Sequence, residues 1–295
     1  MSDSWLEIAV RAAPSYVDEL AGVIASELAA AAAGLEVRDA EVAFWVLEGT
    51  EKDAVAPLES LLAALAARGA PVTTEVEVRR APPEKEWREA YKRYFRVARL
   101  SRRIVVVPSW EQYAPQADDL IINLDPGQAF GTGSHATTTL VLRELQRLAD
   151  TGLHVEHALD VGTGSGILTI AIARLGLAES LAAFDNDPLA VAAAQENCEQ
   201  NHVAAKVSRR ESPDLEAAPC GLIVANIQRH VLLHLAEDIA AAAAPNTTIV
   251  LSGLLSHQLD EVSEAYRGCG FREARREIDA DDSEWGVLTL TSLPS

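Results

Sequence analysis

The stretch HALDVGTGSGILTIAIARL, residues 157–175, constrains what this chain can fold into more than any other. An apolar run ends at Asp160-Val161, glycines follow at Gly162, Gly164 and Gly166, and a second apolar run starts at Ile167. Alternating glycines allow a tight strand-to-helix turn and a close approach of ligand to backbone. The amino end of the helix then offers free N–H groups to polar ligand atoms. Further units follow. Strands are expected at SLAAFD, AKVSR, GLIVAN and TTIVLSG, with helices over 188–201, 230–243 and 255–267. Residues 271–292 read as two strands with no helix between them, an antiparallel hairpin. Repeated βα units predict an α/β fold: a doubly wound, mostly parallel, Rossmann-like sheet.

The first 80 residues have a different rhythm. WLEIAV, the stretches around Val37 and Phe44–Leu47, and VTTEVEV read as strands, with helices from Tyr16 to Ala32 and from Ala54 to Ala67. The order β-α-β-β-α-β predicts a smaller α+β, ferredoxin-like domain. Pro82-Pro83 then opens an amphipathic helix, Glu84–Val97, with Trp87, Tyr91, Tyr94 and Phe95 on one stripe. The expected domains are residues 1–80 for substrate recognition, a helical linker over 81–108, and a catalytic domain over 109–295.

Composition narrows the class. The net charge of −19 disfavours general binding to nucleic acid; it would attract a basic partner, while charge alone favours the plainer reading that it keeps the protein soluble. Residues 79–103 run against it, with ten of the 25 Lys and Arg and three Glu. That basic helix face is a solvated surface or, alternatively, a contact to RNA beside a protein substrate. Three widely spaced cysteines without a CxxC pair argue against a disulfide framework and a structural zinc site. The absence of a long apolar run and of a signal-peptide pattern leads to an expectation of a cytoplasmic protein off the membrane, and nothing in the sequence demands more than a monomer.

The glycine spacing discriminates between ligands. A dinucleotide fingerprint starting at Gly162 needs glycine at 167, where the chain has Ile167. The spacing matches instead the D/ExGxGxG pattern of S-adenosylmethionine enzymes. Asp185 ends strand SLAAFD, 19 residues past Gly166, where a carboxylate accepts hydrogen bonds from a ribose diol. The alternative is that Asp185 and Asp187 cap the helix beginning at Pro188, a role that suits Asp187.

A second glycine-rich segment, DPGQAFGTGSHATT over 125–138, precedes the loop. Together with DVGTGSGILTIA, DNDP, VANI and LSGLLSHQ, it resembles the ribosomal protein L11 methyltransferase (PrmA) family. KEWREAYKRYF and VVPSW, over 85–95 and 106–110, resemble it too, so the resemblance covers residues 84–295. It implies a class I methyltransferase that uses S-adenosylmethionine to methylate lysine or amino-terminal amines of a basic ribosomal protein. It further implies that Thr138 contacts the cofactor, that Gly162, with Asp160, Gly164 and Gly166 in the same loop, supports its methionine end, and that Asp185 holds the ribose. Asn226 lies by the transferring methyl, where its carbonyl can orient an amine; capping the following helix is its structural alternative. Phe130 packs on the cofactor or on the core, and His135 makes a structural hydrogen bond. The chain departs from the family's HPTT with His135-Ala136-Thr137-Thr138, and Cys220-Gly221 replaces an acidic residue before VANI. A methyltransferase for another protein or a small molecule is the alternative function, with a non-enzymatic binding module behind it.

Overall fold

The computed structural model describes residues 5–14, 16–27, 33–80, 96–125, 135–214, 217–280 and 283–293. The chain divides into two compact units, Met1–Tyr94 and Phe95–Ser295. The expected linker helix over 84–97 lies outside the described residues except for its last two positions.

In the first unit β1 (Trp5–Ala12), β2 (Ala33–Arg38), β3 (Glu41–Leu47) and β4 (Val72–Arg80) form an antiparallel sheet ordered β2-β3-β1-β4. Helices Val17–Glu27 and Glu51–Ala67 complete the β-α-β-β-α-β order. Strand alternation sends Ile8, Val10, Val42, Phe44 and Val46 into one core with Leu20, Ile24, Leu58 and Leu62 of the helices. Glu7, Arg38, Glu41 and Arg79 form a lattice of ion pairs, among them Arg38–Glu7 at 2.9 Å and Arg79–Glu41 at 3.0 Å.

The second unit starts with three short strands, β5 (Ala98–Arg99), β6 (Ile104–Val107) and β7 (Leu120–Asn123), ordered β5-β6-β7. Positions 98–107, read from sequence as part of a helical linker, therefore contain strands. The main sheet comprises β8 (Val155–Val161), β9 (Ala178–Asp185), β10 (Lys206–Arg209), β11 (Cys220–Asn226), β12 (Ala243–Leu255), β13 (Phe271–Ile278) and β14 (Trp285–Ser292). Its order is β10-β9-β8-β11-β12-β14-β13; β8 to β12 are parallel and β14 runs antiparallel to both neighbours. Successive residues of a strand face opposite layers. Ala158, Leu222 and Val224 join Leu140, Leu145, Ile170 and Cys198 in one core, whereas Leu159, Ile223 and Ala225 join Leu232, Ile239 and Tyr266 in the other.

Two helix expectations are corrected. The helix expected over 230–243 is two short ones, Arg229–His234 and Ala236–Ala241, meeting at Leu235. The one expected from Leu255 begins with a 3-10 turn, Ser256–Gln258, before Leu259–Gly268. Among the described residues no helix is long and apolar enough to cross a membrane.

Helix Ala136–Asp150 is tied to the sheet by a buried carboxylate. Glu144, 2% exposed, accepts from Thr289 Oγ1 of β14 at 2.6 Å and from Arg147 at 2.7 Å, and lies 3.4 Å from Arg275 of β13. Both arginines are about 40% exposed, so water screens part of each pair. Removing the carboxylate leaves Thr289 without its acceptor in a buried place. Glu144→Ala is expected to cost about 2–3 kcal/mol and Thr289→Val about 1 kcal/mol. Urea denaturation of the two variants measures this, and equal losses would show that the arginines contribute nothing.

Candidate active site

Parallel pairing of β8 with β11 sets Asp160 opposite Val224 and Val161 opposite Ala225. Gly162 and Asn226, one residue further on, therefore leave the sheet side by side. Sheet order reverses between these two strands, and open α/β sheets bind ligands in the crevice at such a switch point.

The turn after β8 is held from below. Gly162 and Thr163 both donate their N–H to the carbonyl of Phe184, at 2.9 and 3.0 Å. Gly162, Gly164 and Gly166 have φ of +68°, +54° and +80°, the left-handed region that excludes most side chains. Gly166 is the N-cap of helix Ile167–Leu175, so the helix opens directly on the loop.

Asp160 is 1% exposed and lies beneath this turn. Its Oδ2 accepts from Thr163 Oγ1 and Thr169 Oγ1, both at 2.7 Å, and from Thr169 N at 3.2 Å. Its Oδ1 is buried and has no hydrogen-bond partner among the described residues. Burial, partly offset by the threonine donors and reinforced by the charge of Asp185, raises the carboxyl pKa to about 6. Thr163 and Thr169 hold this carboxylate, and the sequence reading did not single them out. No motif marks a hydroxyl nine residues downstream of an aspartate.

Asp185 ends β9 next to the loop. Its Oδ2 accepts from Gly164 N and its Oδ1 from Asp187 N, each at 3.0 Å. Four lone-pair sites on a carboxylate leave room for two more donors, as a vicinal diol offers. Asp187 takes the capping role: it is the N-cap of helix Pro188–Gln200, and its Oδ1 accepts from Leu189 N at 2.8 Å.

Asn226 does not cap the next helix, whose N-cap is Gln228. Its Nδ2 donates to Thr138 Oγ1 at 3.2 Å, joining the last residue of β11 to the first turn of helix Ala136–Asp150. That bond orients the amide and leaves the buried Oδ1 without a hydrogen-bond partner among the described residues. Thr138 is 1% exposed. His135 is the N-cap of the same helix, and its Nδ1 lies 2.8 Å from Thr137 Oγ1. Its ring meets Trp285 of β14 edge-on, with centroids 4.7 Å apart, a contact across 150 positions that sequence could not reveal. Phe130 lies outside the described residues.

The site thus gathers Asp160, the three glycines, Asp185, Asn226 and Thr138, with two buried oxygens open to a donor. One consequence is titratable. The folded state holds the Asp160 proton more tightly than the unfolded chain does. Stability from this group is therefore full below the ordinary carboxylate pKa and is lost as pH rises through about 6. The loss amounts to about 3 kcal/mol at neutral pH. Asp160→Asn is expected to gain stability relative to the parent by that order between pH 4 and pH 7, measured by urea denaturation without ligand. A flat difference profile would show that burial does not perturb Asp160.

Comparison with known proteins places this geometry. A model of the family described as ribosomal protein L11 methyltransferase (PrmA) matches residues 5–292. The chain is 44% identical over 191 residues to a ribosomal protein L11 methyltransferase of Heliobacterium modesticaldum, an alignment covering 64% of this chain and 59% of that protein. It is 36% identical to the protein of the same name from Pelotomaculum thermopropionicum, over 96% of this chain and 97% of the other. Among solved structures, the ribosomal protein L11 methylase of Lactobacillus delbrueckii subsp. bulgaricus is similar, with a TM-score of 0.60 and 31% identity over 68% of this chain and all of that one. The doubly wound sheet with its hairpin edge is the class I methyltransferase architecture. The chain belongs to the ribosomal protein L11 methyltransferase (PrmA) family.

Proposed function

We propose that the chain is an S-adenosylmethionine-dependent N-methyltransferase whose substrate is ribosomal protein L11. The observation that carries this reading is the meeting of the glycine loop and the Asn226–Thr138 pair at the adjoining ends of β8 and β11. The two relatives compared above are both named ribosomal protein L11 methyltransferase, which supports this substrate.

The residues present fit the cofactor. Asp160 Oδ1, buried and without a partner among the described residues, suits the ammonium of a methionine moiety, beside the tight turn that the positive φ of Gly162, Gly164 and Gly166 allows. Asp185, fixed by two backbone donors, would accept the ribose hydroxyls. Bound there, the cofactor supplies an electrophilic methyl group on a sulfonium. What remains for the protein is to present an unprotonated amine in line and to keep water away. Asn226 Oδ1 is placed to accept an N–H of that amine, turning its lone pair inward. Thr138 holds the amide in that orientation. Alignment of this kind accounts for much of the barrier reduction in transfer reactions. Desolvation beside a positive charge lowers an amine's pKa, so the neutral, nucleophilic form gains at neutral pH. The first unit, Met1–Tyr94, would grip the protein substrate, and the chain's acidity would speed encounter with a basic one.

The test is incubation with methyl-labelled S-adenosylmethionine and ribosomal protein L11, with the label located by mass spectrometry. Label on amines of L11 is expected; intact cofactor binding with no label on L11 would redirect the reading to another substrate. Asp185→Ala is expected to weaken cofactor binding roughly ten- to hundredfold, as loss of hydrogen bonds to a charged acceptor does. Asn226→Ala is expected to lower kcat by about a hundredfold. An Asp185→Ala variant that binds as tightly as the parent would remove this residue from the site.

A further inference from the structure

Ile227, the residue after Asn226, is wedged between two glycines from distant parts of the chain. A Cβ on Gly162, at φ +68°, would meet Ile227 Cγ2 at 2.4 Å. A Cβ on Gly253, at φ +81°, would meet the main-chain oxygen, carbon and nitrogen of Ile227 at 2.4, 2.8 and 2.9 Å. Interiors packed to crystal density cannot admit such contacts without displacement. One residue thus makes both glycines necessary, through its side chain on one flank and its main chain on the other. The register of β12 against β14 shifts between Leu251 and Leu254, beside this contact. Bulges of this kind re-aim a strand near active sites. Ile227 N donates to Ser252 O at 3.2 Å, and Ser252 Oγ donates to Gly286 O at 2.9 Å, which locks the irregular stretch to β14.

We propose that Ile227 is a positioning residue that registers the cofactor loop against Asn226. Its β-branched side chain stands where Gly162 lacks a Cβ, so the start of the loop cannot move toward β11 without pushing Ile227, and with it Asn226. Gly253 closes the other flank, leaving the Asn226–Ile227 main chain no room to retreat toward β12. The glycine at 162 is thus required by a contact within the protein as well as by any ligand. A misplacement of about 1 Å at such a point lowers a transfer rate by as much as a hundredfold. This inference deepens the methyl-transfer reading and rests on it for the role of Asn226.

The test is a double-mutant cycle of Gly162→Ala and Ile227→Ala, read in two ways: thermal unfolding of the protein alone, and the S-adenosylmethionine dissociation constant by calorimetry. Gly162→Ala is expected to lower Tm and to weaken binding by about tenfold or more. Adding Ile227→Ala is expected to recover most of both losses, leaving only the strain of alanine at positive φ. A double variant no better than Gly162→Ala in both readouts overturns the proposal. Ile227→Val keeps the Cγ2 methyl and drops only Cδ1. Its kcat on ribosomal protein L11 is expected within about twofold of the parent, while Ile227→Ala lowers kcat about tenfold with KM for L11 unchanged. Equal kcat in the valine and alanine variants likewise overturns it. If the parent chain bound no S-adenosylmethionine, the proposed reaction would fall, while the unfolding cycle would still decide the wedge.

Discussion

The parallel pairing of β8 with β11 is the constraint on which the rest of the second unit depends. It sits at the middle of the sheet, and the strands that follow each partner are laid outward in opposite directions. Chain leaving β8 enters helix Ile167–Leu175, in one core layer, while chain leaving β11 enters Arg229–His234, in the other. Two chain segments diverging from one edge leave a crevice between them, and no other place in the sheet has that property. Register then does the rest. A slip of one residue would turn Asp160 out of its layer and bring Leu159 into it. It would also move Asn226 away from Gly162 and Thr138. Site geometry is in this sense a by-product of backbone hydrogen bonding in the sheet.

Much of this was legible in the sequence, and for definite reasons. The loop at 160–166 was readable because glycine spacing, an apolar strand and an apolar helix all agree locally. The β-α-β-β-α-β order of the first unit followed from alternation and helical spacing, and the sheet order β2-β3-β1-β4 matches the ferredoxin-like expectation. Asp187 was recognisable as a cap because it precedes Pro188. What stayed hidden was short or long-range. Strands β5 and β7 have two and four residues, too few to show a period. IVVV of β6 is buried at every position and so does not alternate. The break at Leu235 falls within an alanine-rich run that reads as one continuous helix. Contacts such as His135 with Trp285, or Ile227 with Gly253, exist only once the sheet has closed.

The electrostatics of the site differ in kind from those of the surface. The chain carries an excess of 19 negative charges, and among the described residues carboxylates such as Asp150, Glu261 and Asp260 pair with exposed arginines. Asp160 has no cation among its partners; hydroxyls and one amide hold it. A buried carboxylate supported only by neutral donors retains its field instead of cancelling it. Such a group attracts a cation strongly, and without one its ionisation costs the folded state stability. Glu144 shows the opposite solution: two arginines and a threonine satisfy it, and it serves as a structural tie.

A final feature concerns the edge of the small sheet. Among the described residues β7 pairs with β6 alone, and no described strand covers its outer flank. At its last residue the side chain of Asn201 fills that flank: Oδ1 accepts from Asn123 N at 2.9 Å and Nδ2 donates to Asn123 O at 2.7 Å. A carboxamide carries the same donor and acceptor as a peptide unit, so Asn201 acts as a one-residue surrogate strand. It is fully buried and also donates to Asn197 O at 2.8 Å, which anchors it to helix Pro188–Gln200. A surrogate of this size satisfies the strand end yet offers no further backbone for a neighbouring chain to pair with. The sheet is terminated there by a side chain, and an edge that could recruit a foreign strand is closed at that point.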